Sequence, residues 1–165
     1  RGETFVTRKI TRGLKAISEG KQTVLYLGNL DAKRDWGHAK DYVEGMWKIL
    51  QHDKPDDFVL ATGVSISVRE FLLIALEKLG IEVEFNGEGV NEVGVVVEIH
   101  NEAKVKIGQE IIKIDPLYFR PTEVEFLLGD PSKAESILNW KPKYSINDLV
   151  SEMIDHDLKL FKPAN

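Results

Sequence analysis

Phe58-Val-Leu-Ala-Thr-Gly-Val-Ser-Ile-Ser-Val-Arg-Glu-Phe-Leu-Leu-Ile-Ala-Leu-Glu-Lys-Leu-Gly80 is the stretch whose reading decides the architecture. Its first four residues form a compact apolar run halted at Thr62-Gly63, which predicts a strand. Ser67 and Glu70 then stand at the spacing of a capping box, in which each side chain satisfies a backbone N–H of the other's residue and a helix begins. Phe71, Leu72, Ala75, Leu76 and Leu79 recur at helical spacing and mark the side turned to a core, and Gly80 suits the stop. Strand, loop and amphipathic helix in this order form the unit from which α/β proteins are built.

Working toward the N-terminus, Asp41 suits the N-cap of a helix carrying Val43, Met46, Trp47 and Leu50 at helical spacing. Thr23 to Leu27 is another apolar run, ended by Gly28-Asn29, and predicts a short buried strand. Residues 6–18 read as a helix, with Val6, Ile10, Leu14 and Ile17 on one face and Gly20 at its end. Toward the C-terminus, Val83–Phe85, Gly94–Ile99 and Glu110–Ile114 read as strands, so that about Gly87 to Gly108 is a β-hairpin excursion from the alternation around it. Asp130-Pro131 offers an N-cap and a preferred first residue for a helix to about Leu138. Ser145 to Asp148 opens the last helix, whose Leu149, Val150, Met153, Ile154, Leu158 and Phe161 fall mostly on one side. The unit is α/β or α+β. Two short apolar strands are too few for a complete doubly wound sheet, so the pattern predicts that part of the sheet belongs to polypeptide outside this chain.

Composition narrows the function. In 165 residues, 42% are hydrophobic and 30% charged, the balance of a folded domain. Twenty-two basic against 27 acidic side chains leave a net charge of −5, so no general field draws the chain to nucleic acid or an anionic membrane. An anionic ligand must be held by a local basic cluster. The absence of cysteine excludes disulfides, thiolate metal sites and a cysteine nucleophile, and fits a cytoplasmic protein. No apolar run approaches the roughly 18 residues that span a bilayer. Arg1-Gly2-Glu3-Thr4 contains neither an initiator Met nor a signal core, so the start reads as cut from something longer.

Four polar groupings carry possible chemistry. Val6-Thr-Arg-Lys9 puts cations in a first helical turn, where the dipole prefers anions; it is either an anion contact or a solvated basic face. Asn29 to His38 mixes Arg34, Asp35, Trp36 and Gly37 in a segment of weak secondary-structure preference, where binding loops are built. There Arg34 could clamp a phosphate in bidentate fashion, oriented by Asp35 or Asp41, or form an ordinary ion pair. Trp36 and His38 read as packing residues. Tyr118-Phe-Arg-Pro-Thr-Glu123 presents Arg120 and Glu123 around a Pro, suiting a nucleotide's pyrophosphate and its ribose or base; the alternative is a surface ion pair worth under about 1 kcal/mol. Asn86-Gly-Glu-Gly89 precedes no helix and reads as a turn rather than a phosphate loop. The four histidines are scattered, with no metal-ligand spacing. From residues alone this is an anion-binding α/β unit.

The same groupings, in order, resemble the GDP-mannose 4,6-dehydratases of the extended short-chain dehydrogenase/reductase group. The matching strings are residues 1–12, Tyr26 to Asp31 with Arg34 to Tyr42, Asp57 to Val64, Asp115 to Glu125, Leu128 to Ala134 and Leu138 to Pro142. The resemblance implies the C-terminal, substrate-binding portion of an extended Rossmann-type nucleotide-sugar enzyme, spanning all of residues 1–165. It implies that Val6 and Lys9 contact guanosine, that Arg34 and Arg120 face the diphosphate, that Glu123 touches the nucleoside and that Arg1 lies near NADP. It implies a lyase of fucose biosynthesis that oxidises the hexose with NADP⁺, removes water and returns the hydride, yielding GDP-4-keto-6-deoxymannose as a homo-oligomer. The family's Gly-rich dinucleotide loop, its Tyr-x-x-x-Lys pair and its Thr and Glu acid–base residues precede the segment matching Arg1. No catalytic residue is therefore assigned in this chain, and it is expected to be inactive alone, its partner being a missing N-terminal half or another copy. Another nucleotide-sugar dehydratase or epimerase, or a non-catalytic nucleotide-binding or assembly module, is the alternative.

Overall fold

A computed structural model describes Gly2, residues 5–119 and residues 124–160, the last three as backbone. It contains helix α1 (Val6–Ser18), strands β1 (Leu25–Leu27) and β2 (Lys33–Arg34), helix α2 (Ala39–Leu50), strand β3 (Ile66–Ser67), helix α3 (Val68–Lys78), strands β4 (Ile81–Asn86), β5 (Val93–Ile99) and β6 (Glu110–Ile114), and helices α4 (Ser132–Leu138) and α5 (Ile146–Leu160). A four-stranded mixed sheet runs in the order β1-β6-β5-β4, with β1 parallel to β6 and the other pairs antiparallel. β2 and β3 form a separate antiparallel ribbon, and Lys33 also bridges to Phe126.

The core lies where α1, α3 and α5 cover one face of the sheet. Ile10, Leu14, Ile17, Phe71, Leu72, Leu76, Val150 and Ile154 pack with Leu25, Leu27, Ile81, Val96 and Ile112 in one buried cluster. Burying each large side chain contributes about 1.5–3 kcal/mol, so these helical stripes set the packing. The capping box of α3 is present: Ser67 Oγ accepts from the Glu70 N–H at 3.0 Å and Glu70 Oε2 accepts from the Ser67 N–H at 2.6 Å. α3 hands over to β4 at Gly80, whose φ of +62° is costly for any residue with a Cβ. The Asn86–Gly89 turn joins β4 to β5, as its composition predicts.

Three expectations are corrected. His38, not Asp41, caps α2: its Nδ1 accepts from the Lys40 N–H at 3.2 Å, so the proton sits on Nε2, which donates to Glu152 at 3.1 Å. Asp41 is instead buried inside the first turn, where its carboxylate accepts from the Tyr144 N–H and its carbonyl from Trp140 Nε1. Phe58–Ala61 is not a strand, because among the described residues no neighbouring backbone pairs with it. Pro131 rather than Asp130 is the N-cap of α4, although the Asp130 carboxylate still accepts from the Ser132 N–H at 2.9 Å.

Candidate functional site

In open sheets, ligands bind beyond the carboxyl ends of parallel strands, and β1 and β6 are the parallel pair here. After β1 the chain turns at Gly28; after β6 it enters a single helical turn, Pro116–Tyr118. The two are laced together. The Asp115 N–H donates to the Leu27 carbonyl at 2.8 Å, and the Asp115 carboxylate caps the turn by accepting from the Leu117 N–H at 2.9 Å. Gly28 lies so close that a Cβ built there would fall 2.8 Å from the Tyr118 carbonyl carbon and closer still to its oxygen. Only glycine fits.

The first turn of α1 reaches over this junction. Lys9 places its ammonium 3.5 Å from the centroid of the Tyr118 ring, a cation–π geometry. Burial pulls the Lys9 pKa below the ordinary lysine value, and the nearby Asp115 carboxylate opposes that shift. Val6, one turn earlier, is at the surface. Arg8 is no member of a solvated basic face: it pairs at 2.5 Å with Asp157, which is fully buried and accepts no well-angled hydrogen bond among the described residues. The attraction is therefore Coulombic, and it ties α1 to α5.

Arg34, on β2, donates through Nη1 to the carbonyls of Lys33 at 2.8 Å and Val124 at 2.6 Å. Residues 125–127 run beside β2, with the Lys33 N–H donating to the Glu125 carbonyl and the Leu127 N–H to the Lys33 carbonyl. Asp35 has another task. Its carboxylate gathers the Thr62 N–H and hydroxyl, the Gly63 N–H and the Gly129 N–H, joining three loops. Lys9 thus meets the segment 115–125 at Tyr118, and Arg34 meets it at Val124. Arg120 and Glu123 lie between these anchors in sequence, outside the described residues, as does Arg1.

Trp36 and His38 are buried as expected, Trp36 against the edge of Phe71 and His38 stacked on Tyr144. Tyr118, Asp115 and Gly28 were not singled out by residue type. The signal was present in Leu27-Gly28 and Ile114-Asp115, two strand ends followed by turn residues. Spacing also hid a trio on the hairpin. Glu82 and Glu98 are register partners, a like-charge pair, and His100 sits between them at 2.7 and 3.7 Å. Its pKa is raised, first by the hydrogen bond to Glu82 and then by Glu98. A groove of about 1200 Å³, whose lining includes neither Lys9 nor Arg34, lies between the start of α1, α2 and α5.

Comparison with known proteins places the chain. A family profile described as GDP-mannose 4,6 dehydratase matches residues 1–153. A GDP-mannose 4,6-dehydratase of Vibrio cholerae is 53% identical over 162 residues, covering 97% of this chain but only 44% of that protein. The GDP-mannose 4,6 dehydratase 2 of Caenorhabditis elegans is 52% identical, covering 98% of this chain and 40% of its own length. Among solved structures, RMD from Pseudomonas aeruginosa complexed with NADPH superposes with a TM-score of 0.73 at 17% identity, over 97% of this chain and 44% of that one. UDP-glucose 4-epimerase of Thermotoga maritima follows at 0.68 and 17%, over 98% and 41%. These structures share the Rossmann-type epimerase and dehydratase fold. The chain spans less than half the length of the relatives it matches, and within that span it belongs to the GDP-mannose 4,6-dehydratase family.

Proposed function

We propose that this chain is the C-terminal, GDP-mannose-holding part of an NADP-dependent GDP-mannose 4,6-dehydratase. The observation that carries the reading is Lys9 poised over Tyr118 at the carboxyl ends of β1 and β6, at one end of the segment that bears Arg120 and Glu123. A half-buried ammonium beside an aromatic ring suits a guanine, donating to its carbonyl while the ring packs the base. Arg34 anchors the far end of the same segment and presents a planar guanidinium suited to a diphosphate. Val6 adds an apolar edge, and Arg120 and Glu123 take the second phosphate and the nucleoside.

The described residues do not form a dinucleotide cradle. Their glycine-rich turn, Asn86–Gly89, joins antiparallel strands instead of opening a helix whose N–H groups could hold a pyrophosphate. By the family resemblance, NADP and the hydride chemistry are assigned to the part of the enzyme outside this chain, with Arg1 at its border, and the whole enzyme to a homo-oligomer in the cytoplasm. Among the described residues no helix is long and apolar enough to cross a membrane. Supplied with GDP-mannose and NADP⁺, the 165-residue chain should bind GDP yet form no 4-keto sugar. Turnover by a chain of verified mass contradicts this division of labour.

A further inference from the structure

The first turn of α1 lacks what usually starts a helix. Its N-cap, Phe5, makes no side-chain capping bond, and the turn holds no acidic residue. Arg8 and Lys9 instead bring two cations to the end where the dipole favours anions. The apolar stripe that seats α1 on the core also begins late. Ile10, Leu14 and Ile17 are fully buried, whereas Phe5 and Val6 are 57 and 36% exposed. The turn that carries Lys9 therefore needs another anchor.

α5 supplies it. Within residues 146–157 its buried side chains are Val150, Ile154 and Asp157, at the i, i+4, i+7 spacing of one helix face. A carboxylate thus stands, 0% exposed, where that stripe calls for an apolar side chain. Arg8 Nη1 lies 2.5 Å from it. An apolar pair of similar volume is often as stable as buried ions or more so, and stability alone does not account for the charges. What the charges add is direction. Neighbouring residues of a helix point about 100° apart, so drawing Arg8 to α5 fixes the rotation of the turn. Lys9 is then turned toward Tyr118, where its ammonium sits 3.5 Å from the ring centroid.

We propose that Asp157 is a positioning residue for the nucleotide site: acting through Arg8, it orients the first turn of α1 and holds the Lys9 ammonium over Tyr118. Asp157 itself touches no ligand. This rests on the reading above that Lys9 contacts the guanine.

The test separates orientation from stability. Removing either partner alone strands a buried charge and endangers the fold, so the main variant is Arg8→Met/Asp157→Leu in the 165-residue chain. Its melting temperature should equal or exceed that of wild type. The Tyr118 ring shifts the NMR signals of the Lys9 side-chain methylenes upfield, and Tyr118→Leu gives their unshifted positions. In the double variant these signals should move most of the way to the unshifted positions, and GDP affinity in calorimetry should fall about tenfold as the ammonium loses its aim. Arg8→Lys keeps the charges, and because the pair is Coulombic rather than a planar fork, it should restore most of the shift and the affinity. A stable double variant with the Lys9 signals and GDP affinity of wild type overturns the proposal. So does a collapse of its melting transition, which assigns the pair to stability, or an Arg8→Lys variant as impaired as the double one. The two ideas fail separately. A wild type that binds no GDP, but whose Lys9 shift depends on the pair, supports the positioning and refutes only the guanine reading. A wild type that binds GDP, with shift and affinity untouched by the double variant, refutes only the positioning.

Discussion

Gly28→Ala places one methyl group in the junction that supports Lys9. The new Cβ would lie 2.8 Å from the Tyr118 carbonyl carbon and 3.3 Å from its Cβ, against atoms of a backbone turn that is itself tied to β1 through Asp115 and Leu27. Ordinary contact needs about 3.5 Å, so the Pro116–Tyr118 turn must retreat by roughly an ångström. The Gly28 backbone is not in the left-handed region, so alanine brings no torsional strain of its own, and the clash is the whole effect. Overpacking of this kind costs about 1–3 kcal/mol. For a chain of this size that is a fall in Tm of about 2–12 °C. Displacing Tyr118 also withdraws the ring beneath the Lys9 ammonium, so GDP affinity should fall about tenfold, the equivalent of one cation–π and one hydrogen-bond contact loosened. Gly108→Ala is the control. Nothing lies within 4 Å of its Cβ, though its φ of +82° carries strain, so it should lower Tm by a few degrees and leave GDP binding unchanged. Thermal melts and calorimetry on both variants decide. An unchanged Tm and GDP affinity in Gly28→Ala would refute the packed junction.

Arg34→Ala should weaken GDP binding about ten- to a hundredfold in calorimetry, and Arg34→Lys should recover only part, because an ammonium lacks the planar fork. Ser67→Ala removes the cap of α3 and should cost about 1 kcal/mol, or roughly 2–4 °C in a thermal melt. Glu70→Gln should show a pH signature. The Ser67 N–H and hydroxyl hold the Glu70 pKa down, so its contribution is present above the unfolded value of about 4.3 and lost as pH falls through the folded one. The Tm gap between wild type and variant should therefore close in acid. His100→Gln should behave oppositely: the folded pKa lies above the unfolded value of about 6.5, so its stabilisation is full below that pH and disappears as pH rises through the folded value. Melts from pH 5 to 9 should show a gap that shrinks with rising pH.

Local signals were legible in the sequence wherever a residue's partner lay a few positions away. The Ser67–Glu70 box, the ends of α1 and α3 at Gly20 and Gly80, and the β4–β5 turn depend on neighbours, and each stands where the sequence puts it. α2 shows the limit of periodicity. Val43, Met46, Trp47 and Leu50 mark one face, but spacing cannot say whether the mate of that face lies in this chain. Phe58–Ala61 fails as a strand for the same reason, since a strand exists only by its partner. His38 displaced Asp41 as the cap because Asp41 is held inward by Tyr144 and Trp140, about a hundred positions away. The site divides along the same line. In the proposed site, Lys9 and Arg34 are flagged by residue type and resemblance, whereas Tyr118, Asp115 and Gly28 become visible only once β1 and β6 lie side by side.

Calorimetry with GDP, ADP and UDP on wild type and Lys9→Ala tests whether Lys9 over Tyr118 marks a guanine site. Wild type should prefer GDP. Lys9→Ala should lose about ten- to a hundredfold in GDP affinity, the worth of one charge-assisted hydrogen bond of roughly 1.5–3 kcal/mol, and bind the three nucleotides alike. Because burial lowers the Lys9 pKa, the wild-type preference should fade at a pH below the ordinary lysine range. Wild type that binds no GDP, or Lys9→Ala that still prefers GDP as strongly as wild type, contradicts the account.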